Sequence, residues 1–351
     1  MHRENRKPVL CRIAALTVIL LLLAALPAPA EEAPRGVRAG DILCFGTPDG
    51  ASGFDGRWLV LDSERTNTGE AGMFVVSLGL VGDGQGAPVI FRDIGDVAVS
   101  FSDRGEAYAA AHPGVTRYQG SDLQRWCSAF LERSFTPAEQ QAMLPTFKSD
   151  GGIAIPGFGI PLPGAAAGTV DFDPAEDILQ GDRLFPLSAE EAVSAGYGFT
   201  DNRSRVALYK GEAQGYWLRS PHIPTFPLDV GFVFSFGAVM DYPVSGKSMF
   251  AMPAYARPAC NLDRSRIAGM ELLADTDTAA LWRVTFTGDG PNTRTYDLAL
   301  PQVGAVPDVQ GIVSAVLVAV PLVLLALLAL AAWGITRRIR RRRAAPGTQP
   351  R

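Results

Sequence analysis

Two uncharged apolar runs bracket this chain, and they limit what can lie between them more than any other feature. The first, Ala14–Leu26, follows the basic stretch MHRENRK and precedes Ala28-Pro29-Ala30, a small–x–small pattern. Together these make residues 1–30 a secretory signal peptide with cleavage after Ala30. An uncleaved anchor is the alternative, but so short a run spans a ~30 Å hydrocarbon core poorly. The second run, Gly311–Ile335, carries no charge. At ~1.5 Å rise per residue it reaches roughly 38 Å, enough to span with tilt. Seven residues, RRIRRRR (337–343), follow it, and their arginine excess marks the cytoplasmic side. The expectation is a single-pass plasma-membrane protein with an extracellular N-terminal domain, one transmembrane helix at 311–335 and a basic cytoplasmic tail at 336–351.

Charge narrows the partners of the intervening segment. Of 32 Lys and Arg, four lie in the signal and seven in the tail, while one of the 36 Asp and Glu lies in the signal. The exported part therefore keeps 21 basic against 35 acidic residues, about −14. Phosphate backbones need cationic surface, so nucleic acid is excluded as a partner. Three cysteines remain after the signal, Cys44, Cys127 and Cys260, too few for a disulfide scaffold. Burial as small hydrophobes is the simplest reading of Cys127 and Cys260. A Cys127–Cys260 bridge is the alternative.

The exported part alternates strand-like and helix-like patterns. After a linker at 31–39, Asp41–Phe45, Arg57–Leu61 and Met73–Val81 read as strands. In Ser121–Phe135, apolar Leu123, Trp126, Cys127, Phe130 and Leu131 recur at three and four, the period of an amphipathic helix. Thr136-Pro-Ala-Glu139 and Ser188-Ala-Glu-Glu191 are capping-box starts of two further helices. Gly151–Gly168 is a Gly, Pro and Ala-rich loop. Val230, Phe232, Phe234 and Phe236 alternate with smaller residues, a half-buried strand, with Val239–Tyr242 as its hairpin partner. Ile267–Leu273 and Ala280–Phe286 are β-like within a C-terminal extension, 264–300, followed by a juxtamembrane linker at 301–310. The expected fold class is α+β, with antiparallel strands and a few helices.

Several segments in order carry a resemblance: GDILCFG (40–46), RWLVLD (57–62), SDLQRWCSAFL (121–131), GDRLFPLSAEEA (181–192), YWLRSP (216–221), VGFVFSFGAV (230–239) and ARPACNLD (256–263). This order resembles a bacterial cell-surface family of unknown function, family 6273, with W-W-L-R-S-P and G-V-R-P-A elements, and covers a domain at 40–263. That family is in turn similar to the C-type-lectin-like and formylglycine-generating-enzyme group, which implies a lectin-like mixed domain. Tyr216 stands for the usual first Trp and Ala256 for the usual Val. Only Cys260 lies where those enzymes carry a cysteine pair, so the resemblance implies the fold and not the catalysis.

Candidate functional residues are few. Trp217 and Arg219 can bind a sugar or carboxylate, or can lock the fold by stacking and by a guanidinium fork on a buried carboxylate. Asp171, Asp173, Glu176 and Asp177 put four carboxylates in seven residues, a pattern calcium could use, although a solvated acidic loop fits as well. No other cofactor is implied: His112 and His222 are the only exported histidines, too sparse for zinc. A thiol nucleophile would need a paired base and exposure, and none is evident. The expectation is an extracellular binding or adhesion module for a glycan, a cell-wall polymer or a protein. A membrane-anchored enzyme of unidentified reaction and a sensory or structural ectodomain with a membrane partner are the alternatives.

Overall fold

A computed structural model describes residues 36–95, 103–156, 169–173, 177–222, 228–245 and 253–300. The chain divides into two units, Met1–Val37 and Arg38–Arg351. Only 36–37 of the first are described, and every helix and strand named below belongs to the second.

Of the described residues, 37% lie in strands and 18% in helices, so the domain is β-dominated and the expected α+β balance is corrected. The capping signals explain the difference. The boxes at Thr136 and Ser188 are both present, yet they start helices of only six and four residues. A cap fixes where a helix begins and not how far it runs.

The larger sheet has seven strands among the described residues: β1 (Ile42–Cys44), β2 (Arg57–Asp62), β3 (Met73–Ser77), β8 (Phe185–Pro186), β14 (Pro258–Leu262), β15 (Ile267–Asp275) and β16 (Ala280–Phe286). Their order is β15-β16-β1-β2-β3-β14-β8, and only β1 with β16 is parallel. The second sheet runs β12 (Val239–Pro243), β11 (Asp229–Val233), β10 (Glu212–Pro221), β13 (Ala254–Tyr255), with β9 (Ala207–Tyr209) paired to the start of β10. Two ribbons complete it, β4 (Thr146–Ser149) with β7 (Ile178–Asp182) and β5 (Ala154–Pro156) with β6 (Thr169–Asp171). The expected hairpin of Val230 with Val239–Tyr242 is β11–β12. All five residues of β11 are buried, so this strand is covered on both faces rather than half-buried.

Helices α1 (Asp103–Ala111), α2 (Asp122–Ser134), α3 (Pro137–Ala142), α4 (Ala189–Ala192) and α5 (Asn202–Arg205) pack around the sheets. The predicted amphipathic helix is α2: Ser121 caps it, accepting from the Gln124 amide at 3.0 Å, and Leu123, Cys127 and Phe130 are buried. With 13 residues it spans only about 20 Å at ~1.5 Å per residue. No helix among the described residues is long and apolar enough to cross a membrane. The single transmembrane helix, and with it the single-pass plasma-membrane placement with extracellular and cytoplasmic ends, is therefore corrected to what the described residues show, in which no such span is present. The segments on which those expectations rested, 1–30 and 301–351, lie outside the described residues.

Candidate functional site

The second half of β10, from Gly215 to Pro221, is buried throughout. Trp217 is fully enclosed, its indole Nε1 donating to the Val89 carbonyl at 2.6 Å and its ring meeting Phe91, Phe232 and Tyr242 at 5.1 to 5.9 Å. An aromatic body in the core with its one polar atom bonded is a framework residue.

Arg219, also fully buried, has every part of its fork engaged. Nη1 donates to the Pro186 carbonyl at 2.9 Å and to Glu191 Oε2 at 2.6 Å, and Nη2 bonds Asp150 Oδ2. Nε lies 2.8 Å from Asp177 Oδ1, a charge contact rather than an aligned hydrogen bond. Lys148 adds a second cation, 2.5 Å from Asp150 Oδ1 and 2.6 Å from Glu191 Oε1. Neutral groups complete the shell. Asn67 Nδ2 donates to Glu191 Oε1 at 2.8 Å, and Ser220 Oγ donates to Asp177 while accepting from the Ala189 amide at 2.8 Å.

Two cations face three carboxylates, so full ionisation would leave one excess negative charge inside the protein. The shifts show where it falls. Burial alone would raise Glu191, but Arg219 and Lys148 outweigh it and hold this carboxyl well below its usual range. Burial pushes Asp177 up to about 6, helped by Asp150 and Glu191 and opposed by Arg219 and Ser220. Burial would lower Arg219, yet Glu191, Asp177 and Asp150 raise it, so its charge is fixed. Asp177 is thus the member that gives way. Desolvating such ions costs several kcal/mol each, offset only by close, complete pairing.

Arg257 repeats the theme more simply: Nε donates to the Ser77 carbonyl at 3.1 Å, Nη1 to the Tyr216 hydroxyl at 3.1 Å, and the guanidinium lies 5.3 Å from the Tyr216 ring centroid. The acidic run is divided. Asp177 turns into the Arg219 cluster, Asp171 is exposed on β6, the Asp173 amide donates to the Pro221 carbonyl at 2.9 Å, and Glu176 lies outside the described residues. Among the described residues, no group of three or more His, Cys, Asp or Glu could hold a metal ion. Cys44, Cys127 and Cys260 are free and buried, so no Cys127–Cys260 bridge forms. Burial pushes the Cys44 and Cys127 thiols up to about 12 and raises Cys260 as well, which keeps them protonated and inert.

The charge cluster also anchors a surface. On β4, Thr146 and Lys148 turn inward, to Asn261 and to the cluster, while Phe147 between them points out and is 70% exposed. Gln180 on β7 sits directly opposite Phe147 and is exposed on the same face. Gly181 has φ +94°, and a Cβ there would stand 3.1 Å from Phe147 Cζ. Only glycine lets the ring lie across the ribbon at this point. Beside it opens a cavity of about 220 Å³ against α2, bounded by Ser128, Leu131, Gln180, Gly181 and Asp182. That is below the ~300–1,000 Å³ of whole small-molecule sites. It can take one ring or side chain of a larger ligand.

Sequence patterns point to Trp217 and Arg219 but not to Lys148, Asp150, Asn67 or Phe147. Glu191 leaves a trace as the third residue of a capping box whose Oε2 is shared between the Ser188 amide and Arg219, and Asp177 stands out in the sequence only as part of an acidic run.

Residues 90–264 match the model of a family described as Domain of unknown function (DUF6273). The match supports the resemblance to a domain of unknown function, and does not extend to the lectin-like group or to a source organism. No curated protein and no solved structure matches the chain. The matched region begins after β3 and ends before β15, so five of the seven strands of the larger sheet, β1, β2, β3, β15 and β16, come from outside it.

Proposed function

We propose that this domain is a recognition module that takes an exposed group of a glycan, a cell-wall polymer or a protein on the outer face of the β4–β7 ribbon. The observation that carries this reading is the 70% exposed Phe147 ring, held across Gly181 beside a cavity and flanked by the Gln180 amide. An aromatic face with an adjacent amide offers apolar contact area and hydrogen bonding together. The buried cluster fits the same picture as scaffold: it fixes Lys148, and so holds the neighbouring ring in place. Trp217 and Arg219 then support recognition from beneath, without touching ligand.

Covering the exposed part of one Phe removes roughly 100–150 Å² from water, about 3 kcal/mol at ~25 cal/mol per Å². Phe147→Ala is therefore expected to weaken ligand retention on the order of 100-fold, with an unfolding midpoint close to the parent. Immobilised glycans, cell-wall fragments and peptides supply the panel. Equal retention by parent and variant on every ligand the parent binds would remove this face from consideration.

A further inference from the structure

The second sheet holds a buried acidic pair that the Arg219 cluster does not reach. On β11 and β12, Asp229 pairs with Pro243 and Gly231 with Asp241, so Asp229 and Asp241 are diagonal neighbours on one face. Across the other side of β11, the His222 amide donates to the Asp229 carbonyl at 3.2 Å, and His222 Nδ1 lies 3.9 Å from Asp241 Oδ2. Asp229 is 9% exposed, and the His222 and Asp241 side chains 7% and 17%. Phe172, bridged to His222, sets its ring against the imidazole at 6.2 Å. Two carboxylates set diagonally on neighbouring strands, with so little solvent around them, repel each other when both are ionised. One proton held between them relieves that repulsion.

Among the described residues, the titratable side chain facing Asp229 is Asp241 from β12, and His222, just past the end of β10, faces Asp241 in turn. Burial first, and Asp241 second, push Asp229 up to about 8.

We propose that Asp229, Asp241 and His222 form a proton-responsive latch: one proton shared by the aspartates clasps the edge strand β12 to β11, and its release loosens that edge. The direction follows from linkage. A carboxyl raised in the folded state gives stability that is complete below the ordinary carboxylate range near pH 4. That stability is lost progressively as pH rises and is gone above about 8. Asp177 loses its proton near 6, so between pH 6 and 8 the latch dominates the slope.

Denaturant unfolding of the full chain at pH 6, 7 and 8 tests this. The unfolding equilibrium constant of the parent is expected to rise up to ~10-fold per pH unit, the signature of one proton. Asp229→Asn keeps a donor toward Asp241 but has no proton to lose, and its slope over this window is expected to vanish. Asp241→Asn is expected to reduce the slope by removing the like charge. An unchanged slope in Asp229→Asn overturns the latch. If that variant does not fold, isotope-edited infrared spectra of aspartate in the parent decide. A protonated carboxyl band present at pH 7 and gone by pH 9 supports the proposal, and its absence at pH 7 defeats it.

Discussion

Arg219 on β10 and Asp229 on β11 stand on neighbouring strands, and each is at the centre of a buried acidic group with the opposite outcome. Glu191, 2% exposed, is held ionised, whereas Asp229, 9% exposed, is pushed toward its neutral form. Burial alone would order them the other way. The deciding difference is a fixed cation at contact distance: Glu191 has Arg219 and Lys148, both at 2.6 Å, while Asp229 has another aspartate. Depth sets the size of the desolvation penalty, and the partner sets its sign. Asp177 lies between the two cases, one contact short of full compensation.

The strongest way to break this contrast is to remove the cation. Arg219→Ala leaves Asp150, Asp177 and Glu191 buried with only Lys148 against them. Losing one partner of a buried pair costs ~3–5 kcal/mol, and this fork serves three carboxylates. The variant is expected to fail to fold, or to melt far below the parent by circular dichroism. Arg219→Lys is not expected to restore it, because an ammonium cannot reproduce the fork. Folding of Arg219→Ala near the parental midpoint would show that the cluster is not what holds β10.

Asp177 sharpens the contrast through pH. Its carboxyl is raised to about 6, so its contribution is fully present below about pH 4 and is lost as pH rises through 6. Over that window the parent is expected to lose stability by up to ~1.4 kcal/mol per pH unit relative to Asp177→Asn. Chemical denaturation at pH 4.5 and 6.5 measures the difference. Equal slopes would place the excess charge on Asp150 or Glu191 instead.

The smallest effect comes from a neutral member of the shell. Asn67→Ala removes one donor from Glu191 Oε1 but leaves Lys148 on the same oxygen, and it takes one of two acceptors from the Asn261 amide, which keeps Thr146. A cost of ~1–2 kcal/mol is expected, in the range of a lost buried hydrogen bond. If Asn67→Ala costs as much as Arg219→Ala, hydrogen bonding rather than charge governs the cluster.

Local signals and long-range partnerships differ sharply in how far the sequence exposes them. The spacing of Leu123, Cys127 and Phe130 and the cap at Ser121 predict α2 because every contact they encode lies within one helix face. The β11–β12 hairpin is legible for the same reason. Arg219 shows the opposite: its partners Asp150, Asp177 and Glu191 lie 69, 42 and 28 residues upstream, and no periodicity links them. Adjacency groups Asp177 with Asp171 and Glu176, while the backbone turns the side chains apart, to solvent at Asp171 and to Arg219 at Asp177. Phe147 carries no signal because a single aromatic residue in a short strand is ordinary until its exposure is seen.

The parallel pairing of β1 with β16 has a consequence in time. Ile42 aligns with Leu281, and Asp41 accepts from the Ala280 amide at 2.9 Å across 239 residues of chain. At ~5–20 residues synthesised per second, β1 waits roughly 10–50 s for the strand that covers it. Until then its flank toward β16 is an open row of amides and carbonyls, a template for any passing strand. A nascent chain halted before residue 280 therefore lacks the partner of an interior strand, and its growing sheet stays adhesive on the side that the finished domain seals.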